Sequence, residues 1–221
     1  MNDFIRAGDV GVEIGSGAGL AEFFIINKNL MMTDNFQAAW LGKKVDALDM
    51  DLEDESLDYI ISSNVIHHLA YPLRFFQEVH RVLKQGGVLL INETTASLAM
   101  RAILKMMRHE GYDFNVDIFN PSKPCCDPDH LWAGNAAIWD TAMNKINQFT
   151  RQTGFEVEYK KKTEFLIFLL SGGVTAKAPT LRLPNSVLSI LDKLDRLLIA
   201  AAPNIFALGW QAALRKNNQS E

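Results

Sequence analysis

Asp9-Val10-Gly11-Val12-Glu13-Ile14-Gly15-Ser16-Gly17-Ala18-Gly19 decides how this chain is read. The run up to Ile14 predicts a strand, and glycines at alternate positions from Gly15 predict a tight turn into a short helix over about 19–26. Such a turn brings backbone N–H groups close to a ligand with no Cβ in the way. Two kinds of nucleotide site use it. The dinucleotide fingerprint G-x-G-x-x-G/A needs a small residue where Leu20 stands, five positions past Gly15. Glu13 also places a negative charge that a pyrophosphate has no use for, whereas a cationic ligand does. An NAD-dependent oxidoreductase is therefore the weaker alternative.

Outward from this loop, β-like runs alternate with helical patterns, which is the signature of a parallel α/β sheet. Leu30-Met31-Met32-Thr33-Asp34 reads as a second strand, Val45 to Leu48 as a brief third, and Asp58 to Ser63 as a buried fourth. Pro72 opens a helix with Leu73, Phe76, Val79, Val82 and Leu83 on one face, capped by Gly86-Gly87, and Val88 to Asn92 follows as a fifth strand. Beyond Glu93 the pattern loosens. Helices are expected over 97–109 and 136–153, a Pro- and Asp-rich loop over 120–134, a strand over 155–159 and a closing strand over 206–214. The amphipathic stretch 186–201, with Val187, Ile190, Leu191, Leu194 and Leu198 on one face, reads as a helix covering the sheet.

With 221 residues, 48% hydrophobic and 22% charged, the chain is expected to be one globular domain over 1–221. Residues 1–95 form its nucleotide-binding half, and the stretches of about 95–135 and 165–203 are substrate-shaping insertions. The net charge of −4 offers no electrostatic footprint for nucleic acid. No run reaches the 18 or so apolar residues of a membrane span. Cys125 and Cys126 are adjacent and make neither a disulfide framework nor a metal-ligand pattern, so a reducing cytoplasm is the expected home.

Several motifs in order over about 90 residues resemble the class I S-adenosylmethionine-dependent methyltransferases, in particular the small-molecule group called type 11. Glu13 to Gly19, including Gly15, Ser16, Gly17 and Gly19, resembles the family's first motif. Asp34, 19 residues past Gly15, stands where the family places an acid on the ribose hydroxyls. Asp46-Ala47 resembles its adenine-edge pair, and 56–69, including Ser63 and Asn64, its fourth strand and following turn. Arg81-Val82-Leu83-Lys84-Gln85-Gly86-Gly87 resembles a structural helix end. The resemblance implies a Rossmann-like, doubly wound, mostly parallel seven-stranded sheet with its last strand antiparallel. It also implies S-adenosylmethionine as cofactor and a small-molecule acceptor. Only eight residues precede the first strand, and ten separate Asp34 from Val45, too few for a crossover helix. The cofactor face is thus expected to be open, or covered by the insertions or by a second subunit in a homo-oligomer.

Methyl transfer is an in-line displacement, so the protein mainly positions the reactants and excludes water. A hydroxyl acceptor also gains from a base of near-neutral pKa, for which histidine is suited. His67 and His68 follow the fourth strand at the sheet edge where ligands bind, and His109 has an acid beside it in Arg108-His109-Glu110. These three are the candidate catalytic residues, with oxygen slightly favoured as acceptor. His80 and His130 read as structural. Metal-binding histidine pairs on a helix usually stand four apart, so the adjacent pair predicts no metal site. A non-catalytic module that binds the nucleoside and works by association is the remaining alternative.

Overall fold

The computed structural model describes residues 1–27, 29–108, 110–130, 133–170 and 182–217. Its strands are β1 (Gly11–Ile14), β2 (Leu30–Asp34), β3 (Lys43–Lys44), β4 (Leu57–Ser63), β5 (Leu83–Thr94), β6 (Phe155–Thr163) and β7 (Gly209–Lys216). Its helices are α1 (Ala21–Phe24), α2 (Pro72–Val82), α3 (Leu98–Met107), α4 (Ile138–Asn144), α5 (Ile146–Thr153), α6 (Leu166–Leu170), α7 (Asn185–Ala201) and α8 (Pro203–Phe206). The strands form one seven-stranded sheet in the order β3-β2-β1-β4-β5-β7-β6. Pairing is parallel from β3 to β5, and β7 runs against both of its neighbours. This is the doubly wound arrangement expected, with only the last strand reversed.

The main core lies between one sheet face and α2, α4 and α5. Phe75, Phe76, Val79 and Val82 of α2 pack there with Trp139, Phe149 and Phe155. Phe76 meets Phe149 edge-to-face at 4.9 Å, which adds to the area buried. On the opposite face, Tyr59, Ile61, Val88 and Leu90 are covered by Ile25 and by Met1, Phe4 and Ile5. The residues ahead of β1 thus pack against the sheet. A smaller core joins α3 to Ala136, Ala137 and Leu208.

Local chemistry moves several boundaries from their expected places. The third strand is Lys43–Lys44, not 45–48, because the Asp46 carboxylate accepts the Leu48 N–H at 2.8 Å and turns the chain. The first helix shrinks to four residues and leaves Phe23 and Phe24 exposed. Helix α2 stops at Val82 because Leu83 already pairs with Leu57, so Gly86-Gly87 sits in an irregular stretch of β5 rather than capping the helix. The helix expected over 136–153 is two, broken at Lys145, whose φ of −113° and ψ of 41° are not helical. Most clearly, α7 reaches the sheet only at its β6 edge. It packs on α6, α8 and β6, only Asp195 is buried, and Ile190 and Leu197 are exposed. The buried Asp195 carboxylate accepts the N–H groups of Phe165, Leu166 and Ile167 at the start of α6, which ties the two helices together.

Arg81 fits the structural reading of its motif. Its guanidinium donates to the carbonyls of Met50 and Leu52 and pairs with Glu78 and Asp54, closing the loop that follows Asp46. Arg81→Ala is expected to destabilise the fold by about 2 kcal/mol in urea denaturation, because charge-assisted bonds to that loop are lost. An unchanged midpoint would show the loop to be held by other means.

Candidate functional site

A cleft of about 470 Å³ opens at the carboxyl ends of the parallel strands, within the size range of ligand sites. Its walls follow β1 and β4, the point where the strand order reverses and doubly wound sheets bind ligands. Gly15, Gly17, Asp34, Asp46, Ala47, Asn64 and His68 all line it. Ile14, Val65, Leu69 and Phe36 supply much of the apolar wall.

The glycine turn is locked from below. Ser16 N–H donates to the Thr33 carbonyl at 2.8 Å, Ser16 Oγ accepts the Thr33 N–H at 3.1 Å, and Thr33 Oγ1 donates to the Glu13 carbonyl at 2.7 Å. From the side, Asp34 Oδ2 accepts the Gly17 N–H at 2.8 Å, and Trp40 Nε1–H donates to the Gly17 carbonyl at 3.0 Å. Gly15 has φ +72°, and a Cβ there would lie 2.3 Å from Val65 Cγ2, so only glycine fits.

Glu13, Ser16, Gly19 and Ser63 do not line the cleft. Ser16 is part of the lock, Gly19 packs against Trp40 and Met32, and Ser63 ends β4. Glu13 is 4% exposed beneath the turn, and its Oε2 has no hydrogen-bond partner among the described residues. Burial raises its pKa; a Ser16 hydrogen bond opposes this and the Asp34 charge adds to it. A buried, incompletely satisfied carboxylate under a ligand cleft fits a cationic ligand above, and is costly without one.

The two histidines of the tandem have different surroundings. His67 is buried, and its Nδ1 pairs with Glu93, which in turn accepts the N–H groups of Ile66 and Thr94, each at 2.8 Å. Burial alone would lower the His67 pKa, but the Glu93 charge and hydrogen bond outweigh it and hold the imidazole above its usual value. Glu93, despite burial, is held below the usual carboxylate range by His67. His68 reaches the cleft, its Nδ1 3.3 Å from the Ala133 carbonyl, and burial followed by the His67 charge lowers its pKa. His109 lies outside the described residues. His80 packs its ring on Phe155, as a structural residue would.

Sequence reasoning gave Glu93 no role and took Glu110 only as the acid beside His109. Glu110 Oε2 lies 3.4 Å from His67 Nε2, and its Oε1 3.7 Å from His68 Nε2. The expectation of no metal-ligating set considered only the adjacent pair; folding brings a carboxylate from the insertion to both rings. Asn135 anchors that insertion, its N–H on the His67 carbonyl at 2.8 Å and its side chain on Asp113 and Cys125. Neither acid is near the pair in sequence, and which ones meet it is set by the fold, in part by the Asn135 anchor.

Residues 12–91 match a family model described as a methyltransferase domain, of type 11. The chain is 31% identical over 97 residues to phosphoethanolamine N-methyltransferase 2 of Caenorhabditis elegans, covering 38% of this chain and 22% of that protein. It is 24% identical over 131 residues to demethylmenaquinone methyltransferase of Staphylococcus haemolyticus, covering 59% and 51%. The chain therefore spans about a fifth and about half of these curated relatives. A solved S-adenosylmethionine-dependent methyltransferase from Methanosarcina mazei superposes with TM-score 0.55 at 15% identity, over 98% of this chain and 96% of that one. One from Archaeoglobus fulgidus gives 0.55 at 15%, over 97% and 89%. Residues 12–91 thus resemble a methyltransferase domain, and the whole chain shares the seven-stranded fold of solved class I S-adenosylmethionine-dependent methyltransferases.

Proposed function

We propose that this chain binds S-adenosylmethionine in the cleft at the β1–β4 switch point and methylates a small molecule docked at its His68 end, with an oxygen acceptor favoured. The observation that carries the reading is the glycine turn, locked by Ser16, Thr33 and Asp34 above the incompletely satisfied Glu13 carboxylate. Asp34 would take the ribose hydroxyls, since each carboxylate oxygen has two lone pairs and those given to Gly17 and Asn35 leave others for a ligand. Asp46 and Ala47 would meet the adenine edge, and Asn64, at φ +56°, would shape the wall between the two substrates. When bound, the cofactor supplies a methyl group on a sulfonium sulfur. The protein's own part is to align the acceptor, keep water out and handle the acceptor's proton.

Oxygen is favoured because the far end of the cleft gathers imidazole and carboxylate groups, which assist a hydroxyl more than an amine. The two curated relatives are named for phosphoethanolamine N-methylation and for demethylmenaquinone, so the family spans different acceptors. Two free cysteines fit a reducing cytoplasm as its home. Among the described residues no helix is long and apolar enough to cross a membrane. The test is transfer of a labelled methyl group from S-adenosylmethionine into a metabolite extract. Label in a discrete small molecule is expected. Cofactor binding with no label in any extract would favour the association module instead.

Glu13→Gln separates binding from folding. The Glu13 pKa is raised in the folded protein, so its ionised form costs stability, and that cost grows as pH rises through the folded value. The variant is therefore expected to be more stable than the unmodified chain at neutral pH by about 1 kcal/mol, without cofactor. The gain should vanish below the usual value of 4.5, where both states are protonated. Its affinity for S-adenosylmethionine should fall, since the negative charge beneath the sulfonium is gone. Thermal melts and calorimetry across pH check both signs; a less stable variant would show that Glu13 is satisfied in the apo protein.

A further inference from the structure

The far end of the cleft holds a constellation that nucleoside binding does not use. We propose that His67, His68 and Glu110 bind one divalent transition-metal ion of the zinc class beside the acceptor. One ligand atom from each residue lies within 4.8 Å of the other two. The two imidazole–carboxylate separations, 3.4 and 3.7 Å, are long for direct hydrogen bonds. They end on different carboxylate oxygens, Oε2 for His67 and Oε1 for His68, so a small turn of the carboxylate would bring one oxygen and both Nε2 atoms around an ion; at about 2.1 Å from each ligand, tetrahedral ligands stand about 3.4 Å apart.

The rings are prepared for this role. Nδ1 of His67 is engaged by Glu93 and Nδ1 of His68 by the Ala133 carbonyl. With both Nδ1 atoms so engaged, each ring turns Nε2 toward Glu110, and release of any Nε2 proton to solvent on ion binding leaves that lone pair for the metal. A carboxylate or carbonyl on the far nitrogen is how metal-bound histidines are generally oriented. The carboxylate is held as well: Gly134 packs so closely that a Cβ there would lie 2.8 Å from Glu110 Oε2. The Cys126 thiol donates to the His68 carbonyl at 3.4 Å. The donor set is therefore two nitrogens and one carboxylate, which suits zinc, manganese, iron or nickel rather than soft ions. The His68 side chain is 22% exposed and lines the cleft, which gives the ion a way in.

Three protein ligands leave room for a fourth from water or substrate. In the reaction, which rests on the methyl-transfer reading, that ligand is the acceptor's hydroxyl oxygen. Its proton passes to solvent on coordination. The oxygen's lone pair then forms the new O–C bond as the methyl–sulfur bond breaks, with that electron pair remaining on sulfur. Ion binding itself does not depend on the methyl-transfer reading.

The test takes the full chain stripped with chelator and titrated with Co²⁺ and with Zn²⁺ by calorimetry and absorption. One ion per chain is expected, with a Co²⁺ spectrum of nitrogen and oxygen ligands and no thiolate charge-transfer band. Glu110→Gln and His68→Ala should each weaken binding by about 100-fold or more, Glu93→Gln by about 10-fold or more, and Cys126→Ser not at all. S-adenosylmethionine is titrated into the same metal-free samples. Cofactor binding without stoichiometric metal overturns this inference alone; metal binding without cofactor overturns the cofactor reading alone. Metal affinity unchanged in both Glu110→Gln and His68→Ala, or a thiolate band in the unmodified chain, also overturns it. The spectrum of the unmodified chain decides the matter should a variant fail to fold.

Discussion

Gly15→Ala is expected to weaken S-adenosylmethionine binding by about 100-fold or more and to cost about 3 kcal/mol of stability. Two terms add. A left-handed φ of +72° costs an alanine about 1–2 kcal/mol that glycine escapes. The new Cβ would also stand 2.3 Å from Val65 Cγ2, an overlap that must be relieved by moving one of the two chain segments. Overpacking of this kind costs about 1–3 kcal/mol, and valine's stiff χ1 gives it little room to turn aside. Because Gly15 and Val65 both line the cleft, relief at either distorts the nucleoside's seat. A double variant separates the terms. Gly15→Ala with Val65→Ala removes the overlap but leaves the φ penalty, so about half of the stability loss should return. Calorimetry and chemical denaturation on the four proteins of this cycle measure it, and wild-type affinity in Gly15→Ala would mean the turn does not hold the cofactor.

Asp34→Ala should lower S-adenosylmethionine affinity by about 100-fold while leaving the sheet intact. Charge-assisted bonds to two ribose hydroxyls contribute about 1.5–3 kcal/mol each, and 2.7 kcal/mol is a hundredfold. The substitution also leaves the Gly17 N–H without the acceptor it has at 2.8 Å, so the glycine turn loosens at the same time. Asp34→Asn keeps one oxygen for Gly17 and should lose nearer tenfold. The ribose assignment has its own control, a cofactor analogue lacking both hydroxyls. Its affinity should be nearly the same in Asp34→Asn and the unmodified chain; an equal loss for both ligands would place the effect in the turn and not in the ribose contact.

The strand-end wall of the cleft was legible because its pattern is local. Gly15, Gly17, Asp34, Asp46 and Asn64 each follow the end of a strand or a short turn, and parallel pairing of β1, β2 and β4 brings those ends to one edge. Boundaries failed where a side chain competed with the ladder, as Asp46 does by turning the chain just after β3. The far end of the cleft, by His68, was much less legible. Glu93 lies 26 residues from His67, and Glu110 reaches the pair only because Asn135 and Ala133 fold the insertion onto them. The exposed face of α7 failed for a related reason: helical periodicity shows that an apolar stripe exists, not which neighbour receives it.

The attachment of Asn135 to the turn after β4 carries a consequence for how such folds diversify. One wall of the cleft is built from strand ends, whereas the surroundings of His67 and His68 hang on a separate loop held by Asn135 and a few main-chain bonds. On the proposed reading, exchanging that loop for another would retarget the chain to a new acceptor while the donor's seat is left unaltered.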